Sequence, residues 1–393
     1  MVLLFNVRPL WGLIMDRTGD PLRIAILGSR GIPNEYGGFE QFAEHLSVGL
    51  SKIGYDVSVY NPSFHQFKES TFKGVTIIPK WCPEKKIGSA AHIIYDYLCL
   101  KDAIRRGVDV VLELGYQSSA ISLLMSPVSK TRIITNMDGM EWKRQKWGPI
   151  VQRFTRWAEK IGTYKSHALV SDNLGIQEYL KQTYGKESTM IPYGAEVFDS
   201  PDKSFLEQYE LSENGYYILI ARMEPENNIE MILDGYVMAM VEEPFVVVGN
   251  YSNEFGKKIY QKYNKSNVRF YGGIYDICSL NNLRYYARAY FHGHSVGGTN
   301  PSLLEAMASQ SLIVAHDNVF NRSVLFDNAI YFQSARQVAE ILTDQKELFV
   351  RSRLCVDGNL RNIREVYRWD LIVRQYSELI ERVFYEDTNH NSG

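Results

Sequence analysis

After residue 21 the chain alternates short β-branched runs with amphipathic helical stretches, and it does so twice. The first series opens with RIAILG (23–28), a helix expected over about 38–53, and DVSVY (56–60). Phe39, Phe42, Ala43, Leu46 and Leu50 recur there at helical spacing. DVVLELG (109–115), RIITNMDG (132–139) and HALVSDN (167–173) read as further strands. IPYGAEVFDSPDKSF (191–205) is turn-rich and reads as a linker. The second series runs YYILIAR (216–222), helix 228–240, FVVVGN (245–250), VRFYGG (268–273), helix 280–289, YFHGHSV (290–296), helix 302–310 and LIVAHD (312–317). Unbroken β-branched runs suit parallel strands buried on both faces. The pattern predicts an α/β chain of two Rossmann-like parallel-sheet domains facing a cleft, with ligands at the carboxyl ends of the strands.

At 393 residues the chain exceeds what one core usually organises. The expected division is a tail (1–20), an N-terminal domain (21–200), a C-terminal domain (206–365), a helix (366–387) packing back on the N-terminal domain, and a disordered tail (388–393). The long last helix is expected over about 368–386, with Leu371, Ile372, Tyr376, Leu379, Ile380 and Val383 on its apolar face. The first twenty residues are apolar but broken by Arg8 and Pro9, and read as an over-extended start with Met15 as initiator. A membrane-touching tail and a signal peptide are the lesser readings. Four cysteines without a C-x-x-C pair fit a reducing cytoplasm. No stretch reaches the roughly 18 apolar residues of a membrane span. A net charge of −2 argues against nucleic acid as a partner.

The opening strand leads into a loop with Gly28, Gly31, Gly37 and Gly38, but these spell neither a dinucleotide fingerprint nor a Walker loop. The richer stretch is HGHSVGGTNPSLLEAMASQ (292–310). Gly297 and Gly298 permit close backbone approach, Asn300 or Ser302 can cap a helix starting near Pro301, and its first N–H groups make an anion site. Glu305, one turn in, can accept hydrogen bonds from sugar hydroxyls. Arg222 ends the first strand of the second series and can reach a phosphate. Asp138, after a strand and before Gly139, is a candidate for orienting or deprotonating an acceptor hydroxyl, with Glu141 as its neighbour competitor. No D-x-D, no His/Cys cluster with metal spacing and no G-x-S-x-G elbow occurs.

ARMEPENNIEMILDGY with GGTNPSLLEAMAS resembles the C-terminal domain of family 4 glycosyltransferases, which have the GT-B fold. GSRGIPNEYGGFEQFAEHL and TNMDGMEWKRQKW resemble a narrower branch that includes bacterial rhamnosyltransferases of capsule and surface-polysaccharide assembly. The resemblance implies that Arg222 binds the donor diphosphate and Glu305 the ribose. It implies that the amides of Gly297, Gly298, Thr299 and Asn300 face diphosphate and sugar, with the Gly31, Gly37 and Gly38 loop covering them from the opposite wall. It further implies retention of configuration, with the donor phosphate helping to deprotonate the acceptor. There would be no cofactor, only a dTDP- or UDP-linked sugar as co-substrate. Two positions depart from the pattern. Asn227 stands where the family has lysine, and Gly297 where it has the first glutamate of Glu-x7-Glu. His294 and Asn300 are the substitutes at hand, unless activity is weak or absent.

The stretch 141–167 interleaves Lys143, Arg144, Lys146, Arg153, Arg156, Lys160 and Lys165 with Trp142, Trp147 and Trp157, against only Glu141 and Glu159. Such a surface suits peripheral contact with the inner membrane face and an acceptor carried on a polyprenyl diphosphate. The leading expectation is a cytoplasmic, metal-independent glycosyltransferase of capsule, O-antigen or exopolysaccharide synthesis. A GT-B epimerase or hydrolase and a non-catalytic nucleotide-sugar-binding subunit are the rivals.

Overall fold

The computed structural model describes Met15 and residues 19–35, 37–125, 130–144 and 147–390. The rest of the expected tail, Tyr36 of the glycine loop and Lys146 of the basic stretch lie outside the described residues.

The first domain is laid down as β1 (Arg23–Leu27), α1 (Gly38–Lys52), β2 (Asp56–Pro62), β3 (Thr71–Phe72), β4 (Val75–Lys80), α2 (Glu84–Ile87), α3 (Ala91–Arg105), β5 (Val110–Leu114), α4 (Ala120–Met125), β6 (Arg132–Asn136), α5 (Pro149–Lys165), β7 (Ala168–Ser171), α6 (Leu174–Tyr184) and β8 (Thr189–Met190). Its sheet runs β3-β4-β2-β1-β5-β6-β7-β8, parallel throughout except for the β3–β4 hairpin. All five residues of β5 are buried, Glu113 among them. Helix α1 buries Phe42, Ala43, Leu46 and Leu50, four of the five apolar positions expected, while Phe39 is half-buried.

The second domain follows as β9 (Tyr217–Ile220), α7 (Ile229–Ala239), β10 (Phe245–Val248), α8 (Glu254–Tyr263), β11 (Val268–Gly272), α9 (Ile277–Tyr285), β12 (Ala289–His292), α10 (Pro301–Ala308), β13 (Ile313–His316), α11 (Val319–Leu325), β14 (Ile330–Phe332), α12 (Ala335–Thr343) and α13 (Gln345–Glu365). Its sheet, β11-β10-β9-β12-β13-β14, is wholly parallel. The structure is thus mixed α/β with two parallel-sheet Rossmann-like domains. The strand YFHGHSV is shorter than its run of letters: β12 stops at His292, because Gly293 and the polar residues after it turn out of the sheet.

Helix α14 (Trp369–His390) returns to the first domain. Its Trp369 ring stacks on His45 of α1 at 4.3 Å, and Tyr55 hydrogen-bonds Ser377 (2.8 Å) and donates to Glu381 (3.1 Å). The helix runs to His390, into the stretch expected as a tail. The linker is pinned on both sides: the Ala195 N–H donates to the Tyr367 carbonyl at 2.7 Å, and Phe198 N–H to that of Ala308 at 3.0 Å. Among the described residues, no helix is long and apolar enough to cross a membrane.

Strand order places the site. In each sheet successive connections go first to one side and then to the other. The switch falls between β1 and β5 in the first sheet and between β9 and β12 in the second. Adjacent connections diverge there and leave a crevice at the carboxyl ends.

Candidate active site

At the switch point of the second sheet, β9 delivers Arg222 and β12 delivers the 293–300 loop. Arg222 is exposed, and among the described residues its guanidinium makes no ion pair. Its charge nonetheless reaches Asp138 and His294. Asn300 caps α10 by accepting from the Ser302 N–H at 2.9 Å, and Pro301 fills the first turn, where an N–H would have no partner.

Asn227 is tied to its neighbours. Its Nδ2 donates to the Arg222 carbonyl (2.7 Å), and its Oδ1 lies 2.9 Å from His294 Nδ1. Because Asn227 spends its amide N–H on Arg222, His294 Nδ1 must be the protonated nitrogen, leaving Nε2 as an acceptor. Burial, then His292, Arg144 and Arg222, hold the His294 pKa well below its ordinary value, so the ring is neutral. Asn227 therefore positions Arg222 and His294. It does not reach out as a lysine would.

Glu305 is half-buried, and its carboxylate is engaged. Arg284 on α9, 1% exposed, donates to Glu305 Oε2 at 2.6 Å and to Ser302 Oγ at 3.1 Å. Gln41 on α1 approaches the other oxygen at 3.4 Å, so Oε1 is the one with capacity left for a ligand hydroxyl. Arg284 sits 21 residues upstream, in a helix whose letters carry no site signal.

The first domain forms the opposite wall. Gly28 has φ +80°, and a Cβ there would lie 2.8 Å from Glu113 Oε1, so only glycine lets the chain leave β1 over β5. Gly31 faces Asn61 on β2, and Asn61 holds both the N–H (3.0 Å) and the carbonyl (2.7 Å) of Ile32. The Gly37 N–H donates to Asn34 Oδ1 at 3.2 Å. Gly38 abuts Pro301, where a Cβ would lie 3.1 Å from the proline Cγ. The glycine loop is thus braced by β2 and laid against the first turn of α10.

Asp138 follows β6 with φ 44°. Burial, then the neighbouring Glu141, raises its pKa, while Arg144, the Gly139 amide and Arg222 pull the other way. A carboxyl so placed can hold a proton at pH values where an exposed one could not. Arg144 does not belong to the basic surface expected from the sequence. It is buried, paired with Glu141 and 3.7 Å from Glu226 of the second domain. The Trp147 indole is likewise turned inward, donating to Glu141 at 3.3 Å.

Sequence reasoning missed Asp172. It follows β7, is 1% exposed, and accepts the Thr299 N–H at 2.9 Å, while Thr299 Oγ1 donates to the Asp172 carbonyl at the limit of close approach. Its Oδ1 has no hydrogen-bond partner among the described residues and lies where a Cβ on Gly298 would be. Burial, then the charge of Asp138, pushes its pKa well above the carboxylate range. Gly139 meets the Gly297 backbone beside it. Of the amides expected to face a donor, that of Thr299 thus carries a carboxylate from the other domain, and the two walls are in contact.

Among the described residues one group has metal-type ligands in register, which spacing along the chain did not reveal. Cys82, Glu84 and His92 bring their donor atoms within 4.8 Å of one another. A cation already occupies that corner: Arg30 Nη2 lies 2.6 Å from Glu84 and 3.5 Å from the His92 ring nitrogen.

A family model described as a domain of unknown function (DUF1972) matches residues 22–196. No curated protein matches the chain. Solved structures do. Sucrose-phosphate synthase from Thermosynechococcus elongatus superposes at TM-score 0.77 with 16% identity, over 93% of this chain and 100% of that one. Anabaena Alr3699/HepE in complex with UDP gives 0.68 and 14%, over 91% and 99%. WaaG, a glycosyltransferase involved in lipopolysaccharide biosynthesis, gives 0.66 and 14%, over 91% and 99%. The fold, two parallel-sheet domains meeting at their switch points, is that of the GT-B glycosyltransferases.

Proposed function

We propose that this chain is a glycosyltransferase that moves a sugar from a nucleoside-diphosphate donor to a saccharide acceptor. The observation that carries the reading is Arg222, an exposed guanidinium with no ion-pair partner among the described residues, set at a switch point beside a capped helix N-terminus and the Glu305 carboxylate. That set offers a cation and aligned amides for a leaving diphosphate, and an acceptor for ribose. The bond from the anomeric carbon to phosphate oxygen breaks, and one to the acceptor oxygen forms. The acceptor proton passes to the donor phosphate or to Asp138. HepE was solved with UDP and with UDP-glucose, which supports a nucleotide-sugar donor here. The finer reading, on resemblance alone, is a retaining, metal-independent family 4 enzyme using dTDP-L-rhamnose or a UDP-sugar in bacterial surface-polysaccharide synthesis.

The test is a thermal titration with dTDP, UDP, GDP and ADP. A ligand at about 100 times its Kd stabilises the native state by about 2.7 kcal/mol. One nucleotide should raise the transition, and it names the base. No response to any would move the assignment to a non-catalytic subunit. Donor breakdown without an acceptor would identify a hydrolase or epimerase.

Asp172 gives a second expectation. A donor diphosphate seeking the Thr299 amide must displace this carboxylate. Asp172→Ala should therefore lower the nucleotide Kd by about 10-fold, about 1.4 kcal/mol. Burial and the charge of Asp138, acting against the Thr299 amide, raise the Asp172 pKa in this contact, and a release that exposes the side chain to water would bring it back toward the ordinary carboxylate value. Release then sheds a proton, so rising pH favours it. Wild-type affinity should climb with pH relative to Asp172→Asn. An unchanged Kd in the alanine variant would show that the donor leaves this contact intact.

A further inference from the structure

We infer that α5 with the turn before it is a docking face for an anionic lipid surface. The helix turns one side inward: Thr155, Ala158, Glu159, Gly162 and Thr163 are buried. Glu159, its one acid, accepts hydrogen bonds from the hydroxyls of Tyr116 (3.1 Å), Tyr179 (2.6 Å) and Tyr184 (2.6 Å). Three tyrosines thus fix the rotation of the helix and withdraw its only negative charge from the surface.

What remains outside is cationic and apolar. Lys143, Arg153, Arg156, Lys160 and Lys165 are exposed, and among the described residues none forms an ion pair. Ile150 is 84% exposed and Trp157 40%, and both lie on the stripe shared with Arg153 and Lys160. Met125, at the end of the adjoining α4, is 62% exposed. The chain as a whole is slightly acidic, so five cations with no exposed carboxylate between residues 141 and 165 are a local concentration of charge. Lys143 and Arg156 sit over the Trp142 ring at 5.3 and 5.0 Å, which keeps two of them near one ring.

A protein partner of acidic character would satisfy the charges but has no need of isolated, deeply exposed apolar side chains between them. A lipid surface takes both: headgroup phosphates the cations, the interface the tryptophan and isoleucine. The chain leads into this segment from Asp138, just after β6, through Glu141, so docking would bring the first-domain wall of the crevice to the membrane. That consequence rests on the proposed sugar transfer, whereas the binding itself does not.

The test is co-sedimentation of the full chain with vesicles of phosphatidylcholine alone and with about one third phosphatidylglycerol. Binding is expected only to the anionic vesicles, and should weaken as salt shortens the screening length. The triple change R153E/R156E/K160E should reduce it at least 10-fold with an unaltered thermal transition and nucleotide response. Reversing the exposed Lys257 and Lys258 on α8 should leave it unchanged. Equal binding to both vesicle types, equal binding by the triple variant, or retention of a soluble polyanion such as heparin without vesicle binding would overturn the inference.

Discussion

Glu305→Ala should destabilise the protein by about 3–5 kcal/mol, in addition to weakening the nucleotide. The reason lies in Arg284. Its guanidinium is 1% exposed and gives its closest hydrogen bond, 2.6 Å, to the Glu305 carboxylate. Ser302 Oγ and Asn281 Oδ1 also accept from it, but both are neutral, and Arg284 Nε has no partner among the described residues. Deleting the carboxylate leaves a buried charge with polar contacts and no counter-charge, which costs more than the pair contributes. Glu305→Gln separates the two roles. The amide oxygen can still face Arg284, so denaturant unfolding should show a smaller loss than for alanine. If Oε1 accepts a ribose hydroxyl, the nucleotide Kd should rise at least 10-fold in Gln even though its denaturation midpoint stays above that of the alanine variant. A Gln variant with wild-type affinity would reduce Glu305 to an anchor for Arg284.

That double duty explains what could be read from the letters and what could not. The strands β9 and β10 were legible because each is an unbroken, almost wholly buried apolar run, and β1 and β5 because a single charged residue apiece, Arg23 and Glu113, leaves the rest of the strand apolar and buried. Helix α1 was legible because one face packs on the sheet. Arg222, Asp138 and the 297–300 loop could be placed because strand ends in a doubly wound sheet are where ligand groups collect. Pairings over long separations were not legible. Asp172 meets Thr299 across 127 residues, and nothing near either announces the other. Asn227 looked like a lost lysine until its amide was seen bridging the Arg222 carbonyl and His294. Arg144 sat in a basic run, yet its burial between Glu141 and Glu226 removes it from the surface. Charge counted along a helix says little until the inward side is known, as Glu159 shows from the other direction.

Arg222→Ala should lower transfer by about 100-fold or more while leaving the unfolding transition within about 0.5 kcal/mol of wild type. The contrast with Glu305 is one of burial. Arg222 is exposed and has no ion pair among the described residues, so removing its side chain strands no partner. Its backbone carbonyl, the acceptor for Asn227, stays in the variant, so the bridge to His294 persists. The loss then reports only what the guanidinium does for a ligand. Charge on the leaving phosphate grows as the bond to the sugar breaks, so a cation there serves the transition state more than the bound donor. The rate constant at saturation should therefore fall more than the nucleotide Kd rises. Arg222→Lys tests geometry: a point charge restores part of the binding but not a two-pronged contact. Recovery of less than about a tenth of wild-type turnover by lysine is the expected result. Full activity in the alanine variant would sink the assignment of this strand end as the diphosphate site.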